Sequence, residues 1–333
     1  MSGGVDSAVA AALVLESGEE VVGLHMDLGL EAGGGLASAG KVARHLGIEL
    51  RTVDLRETFR LEVVEPFVDI YGRGMTPNPC AICNREVKFK ELLAKAESLG
   101  ARALATGHYA RLDLDLSPPA LLRGLAGDKE QSYFLARLKS EWLPRLRFPL
   151  GGLTKDRVRR MARARGLPPA ARKGSQEACF LEGRGYREFF ESERESRPGQ
   201  IVDQEGRVIG RHQGLFAYTV GQRRGLGLPA KRPFYVLALD GINNRLMVGP
   251  QEALFKEKAL VRAVSWLVGP QDLPRKGVEV QVRYRARPVP AELRLLRNNL
   301  VRVRFREPQR AVAPGQLAAF YSGERVLGGG WLG

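Results

Sequence analysis

A short polar loop at the start of the chain constrains the fold more than any other feature. Its sequence is Ser2-Gly3-Gly4-Val5-Asp6-Ser7. An apolar stretch with the composition of a helix, residues 8–15, follows at once. Glycines let a backbone approach a phosphate and expose its N–H groups, serine hydroxyls add donors, and a helix N-terminus attracts an anion. The loop therefore predicts a phosphate-binding site at the beginning of a helix; a glycine-rich turn with a polar cap is the structural alternative.

Strands and helices alternate through the N-terminal part of the chain. Buried strands are predicted at residues 21–26, 50–54 and 101–105, and helices at 36–46, 84–99 and 154–165. This alternation predicts an α/β fold with a doubly wound parallel sheet. Such a sheet has a strand that leads into the phosphate loop. Because only Met1 precedes Ser2, we expect that strand to lie outside the sequence as given; a sheet that is built differently is the alternative.

The pattern changes near residue 199, where helical periodicity disappears. Short strands separated by turns such as Asp240-Gly241 run from there onward, which is typical of all-β modules. We therefore predict an α/β domain at residues 1–198, a small central β domain at 199–252 and a C-terminal β-barrel at 253–333. A composition of 44% hydrophobic and 27% charged residues excludes a disordered or fibrous chain.

Basic residues are concentrated in two blocks. The sequence has 52 Lys and Arg against 37 Asp and Glu; residues 137–173 hold 12 basic and 2 acidic residues, and residues 275–310 hold 11 and 3. In the second block, alternation predicts strands that place Arg283 and Arg285 on one face and Arg302, Arg304 and Arg306 on another. Such faces can follow a phosphate backbone, so the charge predicts a polyanion partner; solvated surface charge is the alternative.

Three cysteines are too few for a disulfide scaffold and favour a reducing compartment such as the cytoplasm. Cys80 and Cys83 form a Cys-x-x-Cys pair, and Cys179 lies far away in the sequence. Because Cys83 precedes Asn84, the predicted cap of the helix at 84–99, the helix dipole would favour its thiolate. We predict a chemical role for this pair; a metal half-site or two buried thiols are the alternatives.

No apolar run in the sequence approaches the ~20 residues of a membrane span.

A series of short motifs runs along nearly the whole chain. They are Asn78-Pro79, Cys83-Asn84, Ala105-Thr106-Gly107-His108-Tyr109, Gln131-Ser132-Tyr133-Phe134-Leu135, Ser175-Gln176, Cys179-Phe180, Gly199-Gln200, Gly210, His212, Gly214, Tyr218-Thr219, Gly221-Gln222-Arg223, Gly225-Leu226 and Pro314-Gly315-Gln316. The N-terminal loop resembles that of the N-type ATP pyrophosphatases, which cleave ATP between its α and β phosphates. Together, and in this order, the loop and the motifs resemble those of the bacterial tRNA-specific 2-thiouridylases, the MnmA family.

The resemblance implies an ATP-dependent exchange of sulfur for O2 of the wobble uridine, position 34, in the tRNAs for Lys, Glu and Gln. ATP, with Mg²⁺ held in part by Asp6, would adenylate O2. Cys179 would carry sulfur as a persulfide from a donor such as a cysteine desulfurase or a relay protein, and Cys83 would be the second catalytic thiol. Either Cys83 attacks the persulfide, freeing sulfide and leaving a Cys83–Cys179 disulfide, or the persulfide attacks C2 directly.

The resemblance also implies three groups of binding residues. Those that bind ATP are Ser2, Gly3, Gly4, Val5, Asp6, Ser7, Met26 and Gly107. Those that line the pocket for the target base are Asn78, Pro79 and Cys80. Those that contact tRNA at its anticodon arm are His108, Lys129, Glu130, Gln131, Arg283, Tyr284, Arg285 and Gln316. The α/β domain would thus bind ATP and, with its helical region, tRNA, and the barrel would bind tRNA.

One departure from the family leaves the sulfur chemistry open. Many members have Asp where this chain has Cys80, and three thiols (Cys80, Cys83 and Cys179) are what an iron–sulfur cluster with one open iron needs. Two further hypotheses use the same features. A ligase that adenylates a small molecule would need neither the cysteines nor the basic β region, and a non-catalytic RNA-binding protein would bind tRNA without consuming ATP.

Overall fold

The computed structural model describes residues 1–30, 34–168, 178–181, 188–190, 197–229, 233–274 and 276–333. The N-terminal region combines helices with short strands. Its helices are α1 (Val5–Glu16), α2 (Gly35–Leu46), α3 (Arg56–Phe59, Arg60–Val64 and Glu65–Gly72), α4 (Pro79–Ile82, Cys83–Phe89 and Lys90–Ser98), α5 (Ser132–Leu135) and α6 (Lys155–Ala164). Its strands are β1 (Val22–Asp27), β2 (Glu49–Asp54), β3 (Leu104–Ala105), β4 (Ala110–Asp113), β5 (Ala120–Arg123) and β6 (Leu146–Arg147). Among the described residues, no helix has the length and apolarity that crossing a bilayer requires.

The predicted parallel α/β character is confirmed. β1 pairs with β2 in parallel, and β3 pairs with β6 in parallel, each pair forming a two-stranded sheet. The strand predicted at 101–105 is shorter than expected and covers β3 only. The basic helix predicted at 154–165 is α6: the Thr154 side chain caps its N-terminus and Val158 is fully buried.

The helix that carries two of the cysteines begins earlier than predicted. We expected Asn84 to be its cap, but α4 starts at Pro79 and its N-cap is Asn78, whose side-chain oxygen accepts a hydrogen bond from a backbone N–H of the first turn at 3.1 Å. Proline suits the first helical position because its missing N–H has no partner there. Asn84 is buried within a π-helical segment of α4, so Cys83 lies inside the helix instead of ahead of it.

The first of the two predicted β modules is a four-stranded sheet. Its strands are β7 (Gly199–Val202), β8 (Val208–His212), β9 (Tyr235–Asp240) and β10 (Arg245–Gly249). They are ordered β8-β7-β10-β9. Alternate apolar side chains, among them Ile201, Val236 and Leu246, form a small core on one face.

The second β module is a closed barrel. Its strands are β11 (Phe255–Trp266), β12 (Val278–Gln281), β13 (Val289–Leu296), β14 (Leu300–Arg310), β15 (Leu317–Ser322) and β16 (Arg325–Leu332). They follow the order β11-β14-β13-β12-β15-β16, and β11 also pairs with β16, which closes the ring. This confirms the barrel predicted from the sequence. The β4–β5 hairpin of the N-terminal region extends the same sheet from β16.

β15 joins the barrel to the α/β region because both of its faces are buried. Phe320 points into the barrel core, whereas Leu317 and Tyr321 pack in the core shared with α3, α4 and α5. The hydroxyl of Tyr133, on α5, donates to the backbone oxygen of Leu317 at 2.7 Å. β14 lies three strands from β15 in either direction around the ring, so its outer face is turned away from the α/β region.

One of the two predicted arginine faces exists and the other does not. On β14, Val301, Val303 and Phe305 are buried in the barrel, which leaves the alternating arginines 302, 304 and 306 exposed on its outer face. The face predicted for Arg283 and Arg285 is wrong, because β12 ends at Gln281 and a turn follows. Arg285 has a φ of 64°, in the left-handed region, and this reversal breaks the alternation of a strand.

Candidate functional site

The predicted phosphate loop is held in a tight conformation. Gly3 has a φ of 72°, and a Cβ there would lie 2.5 Å from the Ser38 Cβ on α2, so only glycine fits. The Ser2 and Ser7 hydroxyl oxygens are 3.2 Å apart, and the Ser7 hydroxyl donates to the Gly4 oxygen at 3.0 Å. The loop leads into α1, whose first-turn N–H groups are available to an anion.

Asp6 is tied to a residue that the sequence did not single out. The Lys155 ammonium, on α6, lies 2.6 Å from each of its carboxylate oxygens, and the Tyr109 hydroxyl donates to one of them at 2.7 Å. Burial, and then the bond to Asp6, raise the pKa of Tyr109 well above its usual value. A lysine directly after a helix cap, in the basic helix predicted at 154–165, was the available signal, but nothing local indicated which group it would meet.

The other two residues predicted to bind nucleotide lie on either side of the loop. Gly107 packs directly against it, since a Cβ at this position would be 2.8 Å from the Asp6 carbonyl carbon. Met26 lies near the carboxyl end of β1 and is half-buried. Parallel strands present ligands at their carboxyl ends, so the position of Met26 is compatible with nucleotide binding.

The structure brings the three cysteines into one electrostatic neighbourhood. Cys80 lies in the first turn of α4 and is exposed, and Cys83 follows one turn later and is half-buried. Cys179 is exposed in a short 3₁₀ helix, Cys179–Leu181. It is close enough that its charge raises the pKa of both Cys80 and Cys83. The two predicted catalytic thiols, Cys83 and Cys179, therefore lie within electrostatic range of each other.

The expectation of a thiolate favoured at Cys83 is wrong. Burial raises the pKa of Cys83 to about 12, an effect that the nearby positive charge of Lys88 only partly offsets. The protein around Cys80 also displaces water, and although its side chain reaches the surface, its pKa is raised to about 11. Burial is the main reason, and because α4 begins at Pro79, Cys83 also lies one turn beyond the N–H groups that would have favoured its thiolate. Both thiols are protonated at neutral pH in this state.

His108 is buried next to Lys88, the lysine whose charge acts on Cys83. Its ring is buried between Phe89 and Phe148, with ring centroids 5.4 and 5.8 Å away, and burial lowers its pKa well below the usual value. Nε2 lies 3.5 Å from the Lys88 ammonium, which can only donate, so Nδ1 carries the proton toward the Thr106 hydroxyl at 2.8 Å. His108 was predicted to contact tRNA; in the structure it is buried and lies against Lys88.

Two predicted tRNA-site residues meet across the domain junction. Asn78 donates to the Gln316 side-chain oxygen at 2.8 Å, and this oxygen lies 3.2 Å from the Tyr133 hydroxyl oxygen. The Thr76 N–H donates to the Pro314 oxygen at 2.7 Å. Thus a barrel loop fixes the residue that caps α4. Pro79, also predicted for the base pocket, is buried next to it.

The remaining predicted tRNA residues form a second group. The Tyr284 hydroxyl donates to the Asp128 oxygen at 3.3 Å, which places residues 283–285 of the barrel beside Lys129. Arg285 lies over the Tyr284 ring. Glu130 and Gln131 turn toward the backbone: their side-chain oxygens accept from Ser132 N at 2.6 Å and Tyr109 N at 3.0 Å. The structure therefore brings the two segments together, and Lys129, Arg283 and Arg285 are their positively charged members.

Comparison with protein families shows the class of the chain. A profile described as "tRNA methyl transferase HUP domain" matches residues 1–183, one described as "tRNA methyl transferase PRC-barrel domain" matches 187–250, and one described as "Aminomethyltransferase beta-barrel domain" matches 256–332. With the phosphate loop and the parallel strands, these matches define a HUP-domain protein of the tRNA-modifying type that carries two β modules.

Relatives identify the family within this class. Proteins named tRNA-specific 2-thiouridylase are 47% identical to this chain in Acidithiobacillus ferrooxidans, 46% in Chloroflexus aggregans and 44% in Geobacter metallireducens. Each comparison covers 100% of this chain and 96%, 96% and 95% of the respective relative. The chain therefore belongs to the family of tRNA-specific 2-thiouridylases.

Solved structures show a weaker similarity. A structure titled "U34-tRNA thiolase NcsA from Methanococcus maripaludis with its [4Fe-4S] cluster" aligns with a TM-score of 0.37 and 19% identity, covering 58% of this chain and 65% of that one. An NMN synthetase from Francisella tularensis aligns with a TM-score of 0.33 and 17% identity, covering 50% and 60%. Scores of this size support no functional comparison.

Proposed function

We propose that this chain catalyses the ATP-dependent 2-thiolation of uridine 34 in the tRNAs for Lys, Glu and Gln. The observation that carries the proposal is the continuity of the phosphate loop with the thiols. Gly107 packs on Asp6, and its neighbour His108 lies beside Lys88. The positive charge of Lys88 in turn acts on Cys83. A site that holds phosphates next to thiols suits a reaction in which sulfur attacks a carbon and AMP leaves.

The first step is adenylation. O2 of the uridine attacks the α-phosphorus of ATP, pyrophosphate leaves with the electron pair of the broken P–O bond, and N3 loses its proton. In our proposal the loop N–H groups and the Ser2 and Ser7 hydroxyls hold the phosphates. Lys155 stabilises the charge that develops on the leaving pyrophosphate.

The second step is sulfur transfer. The Cys83 thiolate attacks the inner sulfur of the Cys179 persulfide, which forms a Cys83–Cys179 disulfide and releases hydrosulfide. Hydrosulfide attacks C2, and AMP leaves with the electron pair of the C2–O bond. A thiol reductant then returns two electrons to the disulfide. Direct attack of the persulfide on C2 is the alternative order, with the same residues.

The raised thiol pKa values set a requirement for this chemistry. A protonated Cys83 is a poor nucleophile, so a proton must leave before attack. Lys88 is the positive charge that favours its thiolate, and Asn84 and His108 hold Lys88 in place. Cys80 stands where many relatives have Asp. In this chain we propose that it lines the base pocket, because a thiol with a pKa of about 11 cannot act as a carboxylate base at neutral pH.

The side chains that could act as ligands fit Mg²⁺ better than an iron–sulfur cluster. Asp6 offers oxygen ligands of the kind that Mg²⁺ prefers, and Lys155 occupies both of them, so a bound Mg²⁺ would share or take over this carboxylate. When bound, Mg²⁺ would neutralise charge on the phosphates. For iron–sulfur, the described residues contain no group of three or more His, Cys, Asp or Glu side chains placed to hold a metal ion. The persulfide route is therefore the one we propose.

The proposal requires two partners in addition to ATP. One is tRNA, which we propose is bound at its anticodon arm by Lys129, Arg283 and Arg285. The other is a persulfide donor, of the cysteine desulfurase or relay-protein class, that reaches the exposed Cys179. Because tRNA and ATP are cytoplasmic, we place the protein in the cytoplasm.

A reconstituted assay tests the function. Purified protein, ATP, a persulfide donor and unmodified tRNA should yield 2-thiouridine and AMP in equal amounts. The variants Cys83→Ser and Cys179→Ser should lose thiolation, whereas Cys80→Ser should retain most of it. An otherwise active donor system that gives no 2-thiouridine would exclude the proposal.

Parallel arms separate the competing functions. Adenylation of a small molecule without tRNA, at a rate that Cys179→Ser leaves unchanged, would favour the ligase hypothesis. Methyl transfer from S-adenosylmethionine to tRNA would support the description of the matching family profiles. Anaerobic purification that gives stoichiometric iron and a broad visible band would favour the cluster over the persulfide.

A further inference from the structure

A cleft of about 450 Å³ lies between the α/β region and the barrel. Its α/β wall contains two arginines, Arg85 on α4 and Arg137 just after α5, and its barrel wall contains residues 263–266 and Asn299. None of these residues belongs to the loop or the thiol site described above. Arg85 lies two positions beyond Cys83, so it projects from a different side of α4.

The cleft has an excess of positive charge. Arg85 is paired with Glu86, with Nε and a carboxylate oxygen 3.0 Å apart. Arg137 has no carboxylate partner among the described residues. Burial and then the charge of Arg85 lower the pKa of Arg137 to about 10, an effect that the nearby carboxylate of Glu86 only partly offsets, so Arg137 remains charged at neutral pH. An anion in the cleft would offset this lowering further.

The barrel holds Arg137 in a defined orientation. Its guanidinium lies 4.4 Å from the centre of the Trp331 ring, and one terminal nitrogen donates to the Ala263 oxygen at 3.3 Å. Its Nε is buried and has no hydrogen-bond partner in the described structure. A stacked guanidinium with an unused donor is prepared to bind an oxyanion.

The backbone of the barrel wall is strained at the same place. Ala263 has a φ of 48°, in the left-handed region that a residue other than glycine or asparagine seldom adopts, whereas Asn299 belongs to an ordinary hairpin turn between β13 and β14. The Val264 N–H donates to the Asn299 oxygen at 3.1 Å, and the pairing of β11 with β16 shifts register between Arg262 and Ser265. Strain in a non-glycine residue and a strand irregularity are both more frequent at binding sites. Here they bring the Ala263 oxygen to Arg137.

We propose that this cleft is a second phosphate-binding site, in which Arg137 supplies the main contact and Arg85 a supporting charge. The ligand is either a phosphodiester of the RNA backbone or a free phosphate species such as pyrophosphate. The site goes beyond the thiolation chemistry, which needs only the phosphates of ATP at the N-terminal loop.

Tryptophan fluorescence gives a local readout, because two of the three tryptophans in the chain lie at this cleft. Trp266 lines it and Trp331 lies under Arg137. In a Trp142→Phe background, inorganic phosphate, pyrophosphate and unmodified tRNA are titrated separately, with chloride as the control anion at equal ionic strength. At least one phosphate species should change the emission, and Arg137→Gln should raise its dissociation constant roughly tenfold.

The salt dependence of tRNA binding distinguishes the two sources of phosphate. If the cleft holds an RNA phosphate, Arg137→Gln should lower the slope of log K against log salt by about 1. A response to free phosphate or pyrophosphate with an unchanged tRNA slope assigns the cleft to the free anion. Lys139→Gln removes an exposed charge two residues away, outside the cleft, and should leave the fluorescence titrations unchanged.

A second variant keeps the proposal testable if Arg137→Gln does not fold, as judged by its thermal melt. Arg85→Gln should weaken the same fluorescence response by a smaller factor. The proposal is overturned if no phosphate species changes the emission, or if both variants respond like the parent protein. Neither result depends on whether the protein thiolates tRNA.

Discussion

Single residues in the phosphate site have partners far away in the sequence. Lys155 contacts both oxygens of Asp6, 149 positions earlier, and Tyr109 adds a third bond to the same carboxylate. This arrangement pairs the Asp6 carboxylate with the Lys155 ammonium. In the proposed reaction it places that ammonium beside the loop that would hold the phosphates of ATP.

Replacing Lys155 with Ala should slow adenylation. Loss of the ammonium removes charge stabilisation at the leaving pyrophosphate, and we expect kcat/KM for ATP to fall on the order of 10²-fold. Pyrophosphate release in the presence of tRNA measures the effect. Lys155→Arg should recover part of the rate. Arg102→Ala, which removes an exposed charge outside the basic helix, is the control and should behave as the parent does.

The thiol of Cys83 should show the reactivity of a raised pKa. In a Cys80→Ser, Cys179→Ser background, its alkylation rate should increase about tenfold per pH unit from pH 7 to 10, because only the thiolate reacts and its pKa lies near 12. Lys88→Gln removes the charge that lowers this pKa, so alkylation at a given pH should slow further. Lys90→Gln, exposed on the same helix, should have little effect. A rate that levels off below pH 9 would contradict the assigned environment.

At the scale of elements, the position of the N-cap determines which residues lie in the first turn of α4. The Cys-x-x-Cys pair indicated a site, but the sequence misplaced the start of its helix by five residues, from Asn84 to Pro79. Two asparagines compete for the role of cap, and local propensity does not distinguish them. Burial of Asn84 and the bond between Asn78 and Gln316 decide the result.

Removing the cap should destabilise the protein. Asn78→Ala loses the N-cap and the hydrogen bond to Gln316, and we expect the free energy of unfolding in urea to fall by about 2 kcal/mol. Asn78→Ser keeps a capping oxygen and loses the donor to Gln316 without adding a buried charge, so it should cost less than Asn78→Ala. Equal losses in the two variants would show that the cap contributes nothing.

At the scale of the whole molecule, closure of the barrel separates two basic surfaces. The turn at residues 283–285 lies beside Lys129, near the α/β region. The outer face of β14 lies on the far side of the barrel from β15, which is buried in the junction. The exposed Lys258 is paired opposite Arg304, and Arg294 is paired opposite Arg302. One acidic side chain, Glu292, lies opposite Arg304 as well.

This arrangement predicts that the β14 face contacts parts of tRNA outside the anticodon arm. A triple variant, Arg302→Gln, Arg304→Gln and Arg306→Gln, should weaken binding of full-length tRNA and lower its salt slope by about 2 to 3. Binding of an isolated anticodon stem-loop, measured by fluorescence anisotropy, should not change. A control that removes three exposed charges elsewhere, at Lys90, Arg102 and Arg207, should leave both affinities closer to the parent values. Equal losses for the two RNAs in the arginine variant would refute this geometry.

The sequence by itself determined the α/β region, the phosphate loop, the two β modules and the exposed arginines of β14, because each depends on periodicity or on contacts within a few residues. Only the tertiary structure decided that Lys155 meets Asp6, that Gln316 holds Asn78, and that the Cys83 thiol stays protonated. These features depend on the docking of the barrel and of α6 on the catalytic core. Docking fixes which distant charges and hydrogen-bond partners remain after water is excluded, and no local pattern in the chain encodes that outcome.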